Sequence, residues 1–100
     1  MPDAVIVATA RTPIGRAYKG SLVDVRADDL AAMAIDAVMN KVPEVDRVSV
    51  IDVMVGCAMT HHEQGFNVAR PAALLAGIPD SVGATTVNRF CASSLQTIRM

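Results

Sequence analysis

Residues 83–100 read GATTVNRFCASSLQTIRM, and where this run divides decides the fold. GATTVNRF, residues 83–90, opens on glycine and is rich in β-branched residues, so it reads as a strand. CASSLQTIRM, residues 91–100, starts a helix with Ala92, Leu95 and Ile98 on one face. Cys91 therefore stands where a strand hands over to a helix.

The same alternation repeats toward the N-terminus. NVARPAALLAG, residues 67–77, reads as a helix: Asn67 can cap it, Pro71 falls in its first turn, Gly77 ends it and Pro79 stands beyond. VSVIDVMVG, residues 48–56, is a second buried strand, followed by the polar loop CAMTHHEQGF. A helix opens at Asp28, with Leu30, Met33, Ala34, Ala37 and Val38 making one apolar stripe. Asp28 and Asp29 suit the positive end of its dipole, Lys41 suits the negative end, and Pro43 stops it. RTPIGRAYKGSL, residues 11–22, is a loop, and AVIVATA, residues 4–10, reads as a strand covered on both faces.

The order β-α-β-α-β-α implies an α/β fold, a layered and largely parallel sheet with helices on its faces. The final helix carries no stop signal, and three strands with an unfinished helix bury little. Residues 1–100 are thus expected to be the N-terminal piece of a larger unit.

The composition is 52% hydrophobic and only 3% aromatic, so the core is built from Ala, Val, Ile, Leu and Met. A net charge of −1 with intermixed signs speaks against a nucleic-acid surface. The chain has two cysteines, no basic leader and no apolar run near the roughly 20 residues that span a bilayer. The expectation is a cytoplasmic protein with no nucleic-acid or membrane partner.

A cysteine at a strand-to-helix junction has a chemical use. The first N–H groups of a helix lack intrahelical partners and favour negative charge, so they support a thiolate. The same groups can stabilise an oxyanion when a carbonyl is attacked. Thiolate plus oxyanion donors is the minimal kit for acyl transfer through a thioester. The plainer alternative is that Cys91 is inert packing, as most free cysteines are.

Other residues carry less. Cys57, His61, His62 and Cys91 do not follow zinc spacings. Arg11, Arg16 and Lys19 lie among glycines, but without a phosphate-loop motif they read as solvated loop charges. Met33, Met39, Met54 and Met59 are core filling. Arg70, near a helix start, calls for a carboxylate or carbonyl partner.

TTVNRFCASSLQTIRM resembles the active-site signature of thiolases through Asn88, Cys91, Ala92, Ser93, Ser94, Leu95 and Gln96. VIVATARTPIGRAYKGSL is similar to the thiolase N-terminus, and VMVGCAMTHHEQGFNVARPAALLAGIP to the second strand, polar loop and Asn-x-Ala-Arg helix. The resemblance covers essentially the whole chain, in order. It implies the N-terminal part of a thiolase N-terminal domain, with the remaining sheet, the loop domain and the C-terminal domain lying elsewhere. It implies acyl transfer between coenzyme A and acyl-CoA, with Cys91 as the nucleophile that holds the acyl group and its own N–H as an oxyanion donor. Coenzyme A and acyl-CoA are then substrates, with no bound cofactor and no metal. A homodimer or homotetramer is implied, with residues 61–67 near the interface.

The Asn-Arg before Cys91 and the Ser-Ser after it look more like the 3-ketoacyl-CoA thiolases of β-oxidation than the biosynthetic acetoacetyl-CoA enzymes. Ala92 and Ser94 stand where glycine is common in the family. A thiolase also uses a histidine and a second cysteine from Gly-His-Pro and Cys-x-Gly runs, and neither run occurs here. His61, His62 and Cys57 do not match them. This stretch alone is therefore expected to be inactive. A biosynthetic thiolase, a non-catalytic fragment and a ketoacyl-synthase-like condensing enzyme are the alternatives.

Overall fold

The computed structural model describes residues 2–100. Two strands, β1 (Asp52–Gly56) and β2 (Gly83–Val87), pair in parallel, with Asp52 opposite Gly83 and Gly56 opposite Val87. Three helices accompany them: α1 (Ala27–Asn40), α2 (Ala69–Leu75) and α3 (Ser93–Arg99). Parallel strands need a crossover, and α2 supplies it between β1 and β2. Side chains alternate along a strand, so Val53 and Gly56 point to opposite faces. Val53 and Ala84 pack against the core cluster that includes Ala73 of α2, whereas Gly56 meets the start of α3. Helices thus lie on both faces of the sheet, the α/β layering that the element order implies.

The core is small. Ala73, Ile78 and Val82 form its buried centre, with Ile35, Met39, Val50, Val53 and Ala84 packed around them. The α2 end is tightly built. Gly77 takes φ of 81°, a conformation that favours glycine. Ile78 N–H then donates to Ala73 O and Gly77 N–H to Leu74 O. Arg47 Nη1 donates to the Ala76 carbonyl just past the end of α2. Of the carboxylate or carbonyl partner expected for Arg70, the structure supplies carbonyls, at Val82 O (2.6 Å) and Asp80 O (3.0 Å).

Of the methionines expected as core filling, only Met39 packs on the core while Met33, Met54 and Met59 are exposed, and residues 47–49 form a 3-10 turn ahead of β1. Four further local expectations are corrected. Residues 4–10 join no sheet, and Val5, Ile6 and Val7 are at least 70% exposed. An apolar run without alternation suits a strand with neighbours on every side. A two-stranded sheet offers it one free edge of β1, and Ala8 to Ala10 lie beside that region across an open cleft of about 570 Å³.

The second correction concerns α1. Its packed face is Asp28, Ala32, Ile35 and Met39, which lie on the side opposite the expected stripe. Ala-rich α1 is apolar nearly all round, so periodicity could not choose the face. Ala31, Ala34 and Val38 line the cleft instead, and Met33 is exposed.

Third, Asn67 does not cap α2. Its amide donates to Ala84 O (3.0 Å), and Thr86 Oγ1 of β2 accepts the Ala69 N–H (3.0 Å). Fourth, α3 turns Ser93, Gln96 and Thr97 inward and leaves Leu95 and Ile98 about 70% exposed.

At the start of α1, no side chain of the helix's own entry caps it. Glu63 Oε2, from the loop after β1, accepts the Ala27 N–H at 2.9 Å. Arg26 grips buried Asp28 with Nε at 3.0 Å and Nη2 at 3.1 Å. The hydrogen bond from Arg26 holds the Asp28 carboxyl below the usual carboxylate range, against the opposing push of burial. A depressed folded-state pKa adds stability above the unfolded value and loses it as pH falls through the folded one. Asp28→Asn should therefore lower the thermal midpoint at pH 7. The gap from wild type should close as the pH drops below about 4, where the unfolded carboxylate takes its proton. Thermal melts between pH 7 and pH 2 measure this; a gap independent of pH would refute the ion pair's role.

Candidate active site

Between β2 and α3 the chain turns through residues 88–92, and Cys91 sits exposed on that turn. It precedes α3 by two residues instead of opening it as expected, because α3 begins only at Ser93. The turn is sharp. Phe90 has φ of 50°, a left-handed conformation that costs a non-glycine residue on the order of 1–3 kcal/mol.

Two side chains hold that conformation. Asn88 Oδ1 accepts the Phe90 N–H at 2.9 Å. Ser93 Oγ accepts the Arg89 N–H at 2.9 Å and donates to Phe90 O at 2.6 Å. Phe90 O also accepts the Ser93 N–H at 3.2 Å. Ser93 is 4% exposed, so its hydroxyl is shielded from competing water. Both backbone polar groups of Phe90 are thus held from within the turn. Sequence reading missed Ser93 as a structural partner. The available signal was a small hydroxyl residue two positions after the cysteine.

The turn rests on β1. An added Cβ on Gly56 would lie 2.5 Å from the Ser93 carbonyl carbon and 2.7 Å from Ser94 Cα. Only a residue without a side chain lets α3 approach the strand end this closely. A second tie runs sideways: Asn88 Nδ2 donates to Ala58 O at 3.2 Å, joining the turn to the loop after β1. Cys57, at the head of that loop, is half-buried and donates its N–H to Val87 O.

The rings of His61 and His62 meet at a tilt of 58°, with centroids 4.8 Å apart. They line a separate open cleft of about 700 Å³ with Arg26 and Glu63, and Cys91 does not border it. Among the described residues, Cys57, His61, His62 and Cys91 build no cluster able to hold a metal ion. Likewise no helix among them is long and apolar enough to cross a membrane. Arg16 and Lys19 of the 11–22 loop flank a tight turn, with Lys19 N–H donating to Arg16 O.

Comparison with known proteins adds a family. The profile described as "Thiolase, N-terminal domain" matches residues 4–100. The chain is 49% identical over 98 residues to a 3-ketoacyl-CoA thiolase of Aeromonas salmonicida, covering 98% of this chain and 25% of that protein. Coverage is the same for the 3-ketoacyl-CoA thiolases of Photobacterium profundum, 49% identical, and Pseudoalteromonas translucida, 50% identical. The chain therefore spans about a quarter of the length of these curated relatives.

The glycine contact makes a sharp comparison possible. Gly56→Ala should destabilise the protein by at least the upper end of about 1–3 kcal/mol, because backbone must move to admit the methyl group. Gly83→Ala should be nearly neutral, since its added Cβ meets only Asp52 Oδ1 at 3.7 Å. Urea unfolding of the two variants measures both. Equal effects would mean that the close approach of α3 is not a constraint.

Proposed function

The chain belongs to the thiolase family, and from that premise we propose that it is the nucleophile-bearing part of an acyltransferase acting on 3-ketoacyl-CoA. The observation that carries this reading is Cys91, exposed on a braced turn within the run Asn88 to Gln96 that resembles the thiolase signature. Its residues 1–100 contribute the start of the N-terminal domain. That the relatives are 3-ketoacyl-CoA thiolases favours the degradative direction over biosynthetic condensation.

In that direction the Cys91 thiolate adds to the 3-keto carbon of the substrate. The bond between C2 and C3 breaks, its electron pair stays on C2, and the resulting enolate takes a proton and leaves as acetyl-CoA. The shortened acyl group is left as a thioester on Sγ. Coenzyme A, giving up its thiol proton to a base, attacks that thioester and releases the shortened acyl-CoA and the Cys91 thiolate. Each addition places negative charge on a carbonyl oxygen, and a rigid N–H aimed at that oxygen is the help a protein gives most effectively. The Cys91 N–H is our candidate for one such donor. The base and the acid that moves the C2 proton come from outside these residues, by analogy with the family. A cytoplasmic homodimer or homotetramer in fatty-acid or related β-oxidation is the setting we propose.

On the complete gene product, Cys91→Ser should lower acetoacetyl-CoA thiolysis by about 10³-fold or more, since an alcohol at neutral pH is a far weaker nucleophile than a thiolate. Cys57→Ser should stay within about threefold, because the mechanism asks nothing of it. Steady-state assays of acetyl-CoA release decide the matter; full activity in the Cys91 variant would overturn the assignment.

A further inference from the structure

The bracing of Phe90 has a directional consequence. The Phe90 carbonyl and the Cys91 N–H belong to one peptide plane, and in a trans peptide the two groups point in opposite directions. No cis peptide occurs among the described residues. Whatever fixes the Phe90 carbonyl therefore aims the Cys91 N–H. Ser93 Oγ fixes that carbonyl at 2.6 Å, and Asn88 Oδ1 fixes the Phe90 N–H on the other side at 2.9 Å. Without these two contacts, Phe90 would relax from its left-handed conformation, and the following peptide plane would rotate.

We propose that Asn88 and Ser93 are positioning residues that clamp Phe90 and so set the direction of the Cys91 N–H at the acyl-transfer site. This rests on Cys91 being the acyl carrier. Ser93 is the stronger half of the clamp, since its buried hydroxyl bridges two backbone groups across Phe90. Asn88 is exposed and also tethers the turn to Ala58. Neither side chain needs to touch the substrate.

Two reactions of the same thiol separate aiming from mere folding. Alkylation by iodoacetamide is a displacement at saturated carbon and creates no oxyanion. Acetylation by acetyl-CoA passes through one. On the complete gene product, Ser93→Ala should slow acetylation of Cys91 by about 10- to 100-fold, the scale of a small misplacement in a catalytic group. Alkylation of Cys91 should change by less than about threefold, and kcat should fall more than KM rises. Ser93→Thr, which keeps the hydroxyl, should recover most of the acetylation rate.

Asn88→Ala, at an exposed position, should give the same pattern more weakly, and it carries the test if Ser93→Ala does not fold. Equal losses of alkylation and acetylation, or unchanged acetylation in a folded variant, would overturn the clamp. A wild-type protein whose Cys91 never becomes acetylated would instead overturn the thiolase reading on which the clamp rests.

Discussion

The start of α3 lies directly on the end of β1, and this contact is possible only because Gly56 has no side chain. Much else follows from it. A parallel strand pair fixes where β2 ends, and α3 must begin within a few residues of that point to return over the sheet. The short connection forces a sharp turn, and the sharpness appears as the left-handed Phe90. Cys91, next in the chain, is thereby presented outward while Ser93 is driven inward against the strand. One missing methyl group thus governs how the Cys91 side of the turn is presented.

Around this contact the loops are fastened by single polar bonds instead of by bulk. Asn88 reaches Ala58, and Glu63 of the same loop reaches the first N–H of α1. Thr86 of β2 takes the first N–H of α2, while Asn67 holds the β2 backbone. With few large side chains to bury, the fold relies on small residues in close contact and on well-placed hydrogen bonds. That arrangement suits a reaction in which direction matters, since a misaimed donor loses most of its effect on a developing charge.

Much of this was legible in the sequence, because glycine, proline and β-branched residues act locally. The three helices, the two paired strands, the end of α2 at Gly77 and the need of Arg70 for a polar partner all followed from such signals. Facing was less legible. In α1, apolar nearly all round, the packed side falls on Asp28, Ala32, Ile35 and Met39 instead of the expected stripe, and in α3 the small Ser93 turns inward while Leu95 and Ile98 stay exposed. Residues 4–10 have strand composition, but pairing depends on a neighbour that composition cannot specify. Cys91 stood out through its position and its resemblance. The clamp around it did not, since a serine bonded across a turn looks like any small residue until the backbone is folded.

The most direct measurement is the mass of the peptide carrying Cys91 after the complete gene product is incubated with acetyl-CoA. If Cys91 is the acyl carrier, that peptide gains one acetyl group and loses it when free coenzyme A is added. A Cys91 peptide that stays unmodified, in a protein that nonetheless turns over 3-ketoacyl-CoA, would place the nucleophile elsewhere and contradict the role assigned to this turn.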